Sequence, residues 1–468
     1  MSQRRQHEKS RSVKRERLDP ARLTAVKIIR EVTDDGAFSN ESASRHLASH
    51  ELDARDRAFV SAMVWGTLSE LPFIDYAISA VSKRSLASLD SWVRAILRVG
   101  VWQLYYSFHV PPRAACDESV RLTRLLSGER ATGFVNGIMR RLTRFKPDLP
   151  EDSDAADALI YGLPEELYRL FITWYGREKA QRIGIWSKSA PPFLAIRPDL
   201  RRQEKFLMWL EGQEAASWYP QCLLWPDNAY ALTPMGRDVT QLNAYREGLF
   251  SLQSQSAMLV AQLLGARKKD RILDCCAAPG GKTAYIAEIT DDESLVTACD
   301  VSSERTDLLR SSMKHRGHIN VFSHCLDASE LPSSWNLTFD RVLCDVPCSG
   351  LGLLSKRPEI RSRVNLDTIE RLVPLQQAIL RNGAKATAIG GTLLYSTCTL
   401  SPMENEAQIQ TFLASNEGDG FALDDLTLEL PITVRHMVST RLPGTVLLMP
   451  PDMDSDGFFI ARLCRIRA

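Results

Sequence analysis

Between residues 20 and 146, apolar positions recur every three or four residues, the period of a helix with one face turned to a core. The segments 21–32, 56–68, 89–106, 116–126 and 131–142 follow this pattern, and Asp34-Asp35-Gly36, Pro111-Pro112 and Ser127-Gly128 punctuate them. A small all-α bundle is predicted there. Residues 147–163, rich in Pro, Asp and Ala, read as a linker. Residues 164–250 mix helical stretches (164–175, 177–187) with short strand-like runs (192–197, 229–232), the pattern of a small α/β module. From 251 onward the period changes again. Strand-like runs at 271–274, 295–300, 321–325, 339–345, 391–396, 445–449 and 458–463 alternate with helical runs at 283–289, 303–315, 366–386 and 403–414. Such alternation predicts a doubly wound, mainly parallel sheet, which binds ligands at the carboxyl ends of its strands.

Composition narrows the classes. The chain of 468 residues, 44% hydrophobic and 25% charged, has material for more than one core. No long apolar run suggests a membrane span, and the polar, basic start (residues 1–19) lacks the apolar stretch of a secretory signal and reads as a disordered, solvated tail. These features point to the cytoplasm. The net charge of +1 conceals an asymmetry: residues 1–146 carry 25 Lys and Arg against 16 Asp and Glu, the remainder 33 against 41. A basic first third suits a polyanionic partner. Arg140, Arg141, Arg144 and Lys146 could track a phosphate backbone, or could be a solvated helix end. Ten cysteines include no Cys-x-x-Cys pair, and the eight histidines show no ligand spacing, so no metal is indicated. Cys299, Cys325, Cys344 and Cys464 lie in apolar runs and read as small buried hydrophobes.

The first strand of the parallel sheet ends at Asp274 and runs into Cys275-Cys276-Ala277-Ala278-Pro279-Gly280-Gly281-Lys282-Thr283. Small residues let the backbone approach a ligand, and the following helix presents free N–H groups. A nucleotide P-loop would need glycine where Cys276 stands, and no Gly-x-Gly-x-x-Gly fingerprint is present. Asp300 at the end of the next strand is placed to accept hydrogen bonds from ribose hydroxyls, and Asp327 lies just beyond the third strand, within reach of an adenine amino group. Together these describe an adenosine-containing cofactor without a triphosphate, and S-adenosyl-L-methionine fits.

Two further strands end in Asp345-Val346-Pro347-Cys348-Ser349-Gly350 and Ser396-Thr397-Cys398-Thr399, which puts two thiols at the cofactor edge. Pro347 and Gly350 shape a tight turn. The chemistry this suits is methylation of a cytosine. C5 is a poor nucleophile until a thiolate adds to C6, and Asp345 is the candidate acid or hydrogen-bonding group at N3. A second thiol could remove the C5 proton, and the base must be unstacked to enter.

The stretches CAAPGGKT, DVPCSG and YSTCTLSPMENE resemble the RNA cytosine-5 methyltransferases of the NOL1/NOP2/Sun group. LTAVKIIREVTDDGAFSN, RAILRVGVWQLYY, CDESVRL and GFVNGIMRR resemble the NusB-like helical domain carried by bacterial members that act on 16S ribosomal RNA. EGLFSLQSQSAM resembles the family's lead-in to the cofactor domain and DGFFIARL its closing strand. The resemblance implies a NusB-like RNA-binding bundle over 20–146, a small RNA-binding module over 164–250 and a Rossmann-like class I methyltransferase domain over 251–468. It also implies Cys398 as nucleophile and Cys348 in product release. Cys276, Ala277, Ala278, Pro279, Gly280, Gly281, Lys282, Asp300, Asp327 and Asp345 would then hold S-adenosyl-L-methionine. The expected partner is 16S rRNA, bound by a monomer. A tRNA substrate, or a non-catalytic NusB-like RNA-binding role, are the alternatives. One departure stands out: Ala195-Ile196-Arg197-Pro198 keeps the arginine of the family's Arg-Val-Asn pattern and replaces its asparagine.

Overall fold

The computed structural model describes residues 19–48, 52–234 and 237–467; the expected basic tail therefore lies outside the described residues, except for Asp19. The chain divides into two compact units, Met1–Leu149 and Pro150–Ala468.

The described part of the first unit is helical. The five expected helices are present, with Ser91–Tyr106 at the centre, where residues 95–103 are all buried. Gly66 and Gly100 allow the close packing: a Cβ on Gly66 would lie 2.1 Å from the Trp102 ring, and one on Gly100 2.6 Å from Ser119 Oγ. Two more helices escape the periodic pattern. Ser39–Leu47 is polar and buries only Ser39 and Ser42, the latter donating to Glu31 Oε2 at 2.6 Å. Leu71–Val81 follows Ala54–Ser69 after a single residue, so no turn signal separates them. The basic block is partly structural. Arg141 donates to Val81 O at 2.9 Å, and Lys146 lies over the rings of Phe73 and Tyr105.

In the second unit, the stretch expected as a linker contains a helix, Ser153–Ile160, capped by the Asp152 carboxylate. Its Ala158, with Leu163 beyond, is buried in the large core. An N-capping Asp ahead of an alanine-rich face makes a helix out of a loop-like composition. The helices Glu165–Tyr175 and Arg177–Lys188 bury Leu167, Tyr168, Phe171, Ala180 and Ile183 in that same core. The small module has a four-stranded antiparallel sheet made of β1 (Leu194–Pro198), β2 (Gln221–Cys222), β3 (Tyr230–Leu232) and β4 (Phe250–Leu252), in the order β2-β3-β1-β4. It has a core of its own, around Ile196, Phe206, Trp218 and Phe250.

The large sheet contains β5 (Arg271–Asp274), β6 (Leu295–Asp300), β7 (Val321–Cys325), β8 (Phe339–Asp345), β9 (Thr387–Thr397), β10 (Phe421–Asp424), β11 (Val446–Leu448) and β12 (Phe458–Arg465). Its order is β10-β12-β9-β8-β5-β6-β7, with β11 against β12. β5 to β9 pair in parallel, while β12 enters antiparallel beside β9. The parallel strands read as apolar runs because helices cover both faces, and Leu273, Val342, Leu343, Leu393 and Leu394 are fully buried. Cys299 and Cys344 are buried as expected, but Cys325 is exposed because β7 is an edge strand, and Cys464 is half-buried.

Candidate active site

Four adjacent parallel strands end on one edge. β5 stops at Asp274, β6 at Asp300, β8 at Asp345 and β9 at Thr397. Register makes the alignment: Asp274 pairs with Ala298 and Leu343, and Asp345 pairs with Ser396.

The loop after β5 is stitched to both neighbours. Cys275 N–H donates to Leu343 O at 2.9 Å and Ala277 N–H to Cys299 O at 2.7 Å. Gly280 closes the turn with φ +103°, and a Cβ there would lie 2.6 Å from Leu309, so only glycine fits. The helix Gly281–Ile289 begins directly after it. Asp300 is buried, accepts Ser302 N–H at 3.1 Å and pairs with Arg305 at 3.4 Å. Asp327, by contrast, is exposed and already accepts Ser329 N–H at 2.8 Å, capping a short turn. Asp274 is buried. Thr283 donates to its Oδ2 at 2.8 Å. Burial pushes its carboxyl up to about 7, with the nearby Asp345 charge acting in the same direction.

Lys282 reaches from the loop to the end of β8. Its Nζ donates to Asp345 Oδ2 at 2.7 Å and lies 5.1 Å from the centroid of the Phe458 ring. Burial is the largest single effect and works against its charge, yet Asp345 and the other acidic neighbours together hold the ammonium pKa above its ordinary value. Ser396 Oγ donates to Asp345 Oδ1 at 2.7 Å. The carboxylate that the sequence singles out is thus held on both oxygens.

The two cysteines meet: Cys348 Sγ and Cys398 Sγ are 3.3 Å apart, both half-buried. The hydrogen bond with Cys398, followed by burial, pushes the Cys348 thiol well above its ordinary pKa. Gly350, at φ +73°, makes the expected turn after Cys348. Gly352 N–H then donates to Cys398 O at 2.9 Å, and Gly457 N–H to Gly352 O at 2.9 Å. Tyr175, from the helix Glu165–Tyr175, donates its hydroxyl to Leu400 O at 2.6 Å, two residues beyond Cys398.

Sequence reasoning missed Asp274, Ser396 and Glu404. Glu404 is fully buried, accepts from Ser349 N–H at 2.8 Å, and lies within the quoted YSTCTLSPMENE stretch. Among the described residues, no group of three His, Cys, Asp or Glu side chains could hold a metal, and no helix is long and apolar enough to cross a membrane.

Fold and strand-edge site together define a Rossmann-like methyltransferase. Residues 261–464 match the family described as 16S rRNA methyltransferase RsmB/F, and residues 19–144 match the NusB family. A probable ribosomal RNA small subunit methyltransferase B of Synechocystis is 31% identical over 453 residues, covering 95% of this chain and 99% of the relative. The corresponding protein of Bacillus subtilis is 30% identical, covering 94% and 97%. The solved structure of PH0851 has a TM-score of 0.81 over 96% of this chain and 99% of its own, at 23% identity. NSun6 from Pyrococcus horikoshii with SFG has a TM-score of 0.58 over 65% of this chain and 99% of its own, at 22% identity. These two likenesses are of fold. The chain belongs to the RsmB/F family of 16S rRNA methyltransferases and carries a NusB-family segment ahead of the methyltransferase fold.

Proposed function

We propose that the protein transfers a methyl group from S-adenosyl-L-methionine to C5 of a cytosine in small-subunit (16S) ribosomal RNA, through a covalent bond between Cys398 and C6. The observation that carries the reading is the pair of thiols 3.3 Å apart at the strand edge that also bears the glycine loop and Asp345. Family membership and the names of the relatives support an rRNA substrate.

The residues present suit the cofactor. Asp300 is buried at the end of β6, where an acid can accept from ribose hydroxyls, and the Cys276–Lys282 loop has no bulky side chain before Lys282. When bound, S-adenosyl-L-methionine supplies an electrophilic methyl group. Cys276 through Lys282, Asp300, Asp327 and Asp345 would hold it.

The two thiols divide the work as the family resemblance implies. Thiolate, not thiol, is the attacking species. Cys348 is held protonated by its hydrogen bond and burial. In this reading Cys398 attacks C6, its thiol proton passes to N3, and the Asp345 carboxylate accepts a hydrogen bond from the N3–H so formed. After methylation Cys348, having first passed its own proton to solvent, takes the C5 proton as thiolate, the C5–C6 double bond re-forms, and Cys398 leaves, recovering the proton that N3 gives up.

Bisulfite sequencing of RNA from a strain lacking the protein tests this. The expected result is loss of one 16S methylcytosine, restored by the wild-type chain but not by Cys398→Ala. Loss of a tRNA site with intact 16S rRNA overturns the substrate assignment.

A further inference from the structure

Behind the two thiols lies a closed set of buried polar groups. Glu404 Oε1 accepts Ser349 N–H at 2.8 Å and Gln376 Nε2 at 3.0 Å, while Oε2 accepts Ser349 Oγ at 2.5 Å and Thr399 Oγ1 at 3.4 Å. Ser349 Oγ and Thr399 Oγ1 are themselves 2.6 Å apart. Gln376 also donates to Pro347 O at 3.0 Å, and its own oxygen accepts Gln408 Nε2 at 3.2 Å. Tyr395 donates its hydroxyl to Glu404 O at 2.7 Å. Glu404, Thr399 and Gln376 are fully buried, and Gln408 and Ser349 nearly so.

Ser349 follows Cys348, and Thr399 follows Cys398. One carboxylate thus grips the residue after each cysteine, and Gln376 grips the residue before Cys348. The loops leave different strands, β8 and β9, and sequence separates their cysteines by 50 residues. A buried network in which both oxygens of the central carboxylate are partnered is costly to disturb and favours one arrangement.

From this geometry we infer that Glu404 is a positioning residue that yokes the Cys348 and Cys398 loops and sets the separation of their thiols. It touches neither sulfur and acts through Ser349 and Thr399. Glu404→Gln keeps the volume but turns the acceptor oxygen that faces the Ser349 and Thr399 hydroxyls into a donor. The hydroxyls can accept from that amide, so the change exchanges bonds to a carboxylate for weaker neutral ones of reversed direction and loosens the grip on both loops.

The direct readout is closure of the Cys348–Cys398 disulfide by diamide. The azo reagent takes two electrons and two protons from the thiols as the S–S bond forms, and mass spectrometry of the linked peptide follows the rate. Closure in Glu404→Gln is expected to slow by about tenfold or more, since small misplacements of reacting atoms have large rate effects. The control is Glu406→Gln, the neighbouring buried carboxylate, which accepts from Ser439 instead; its closure should match wild type. Ser349→Ala, a milder change, should slow closure by about threefold. If Glu404→Gln folds and closes at the wild-type rate, the inference is overturned. Should Glu404→Gln fail to fold, an unchanged rate in Ser349→Ala overturns it equally.

The turnover arm rests on the function proposed above: kcat should fall in Glu404→Gln while cofactor affinity stays unchanged. A wild-type chain that transfers no methyl group would defeat the proposed function, yet the closure rates would still decide the role of Glu404. Reduced turnover with unchanged closure would overturn the positioning role.

Discussion

Two buried polar clusters sit in the second unit, each built around a glutamate, and they do different things. At the seam between the small and large sheets, Arg197 is fully buried and meets Glu288, also fully buried, through Nη2 at 3.0 Å and a second contact from Nη1. Its Nε donates to Gln253 at 2.7 Å and its guanidinium covers the Tyr285 ring at 4.3 Å. Behind the cysteines, Glu404 has only neutral donors around it, and burial raises its carboxyl pKa. The seam joins two charges that compensate each other. The cysteine cluster confines one acidic group among hydroxyls and amides. The first is a clamp between sheets; the second orients loops at a reacting edge.

The largest contrast is between chemistry and stability. Cys398→Ala should reduce methyl transfer by more than about 1000-fold, as loss of a nucleophile does, with little change in melting temperature and no covalent protein–RNA adduct on a denaturing gel. Cys348→Ala should accumulate that adduct. The reverse pattern would exchange the two roles. At the seam the order inverts. Arg197→Met strands Glu288 and should cost about 3–5 kcal/mol in chemical denaturation, and adding Glu288→Leu should recover much of it. A stable Arg197→Met chain with weakened RNA affinity would make Arg197 an RNA contact rather than a clamp.

Asp274 adds a pH test. Its folded pKa, about 7, lies above the ~3.9 of an unfolded aspartate, so folding favours the neutral form. That contribution is complete below about pH 4 and is lost as pH rises toward 7. Between pH 5 and 8 the wild type should lose on the order of 2 kcal/mol that Asp274→Asn does not lose, as read from denaturation midpoints. Parallel curves for the two proteins would contradict the shift. The smallest effects concern the cofactor. Asp300→Ala should weaken S-adenosyl-L-methionine binding by about tenfold in calorimetry, more than it weakens RNA binding. Asp327→Ala, at an exposed residue that already caps Ser329, should weaken it by less than about threefold. Equal effects would merge the two roles.

These clusters also mark how far the sequence was legible. Strands β5, β6, β8 and β9 were readable because parallel strands inside a sheet covered on both faces are largely apolar. The cysteines and Asp345 were readable because strand ends place them without knowledge of packing. β10 was not readable, being four residues long at the sheet edge. The helix Ser39–Leu47 was hidden by a polar face that buries serines. The helices at 165–175 and 177–188 were visible, but which core they join was not. Arg197 and Glu404 show the deeper limit. Each has partners 50 or more residues away or on separate loops, and local pattern carries no record of such meetings.

The hydrogen bond from Tyr175 to Leu400 joins residues 225 apart. β12, which reaches Gly352 through Gly457, comes later still. The reacting edge therefore assembles only from contacts of high sequence separation, the slowest kind to form. A chain with its local helices formed but its sheet incomplete would carry all ten cysteines without the matched pair. In folding order, catalytic competence is a late event, and a stalled intermediate would be inert rather than promiscuous.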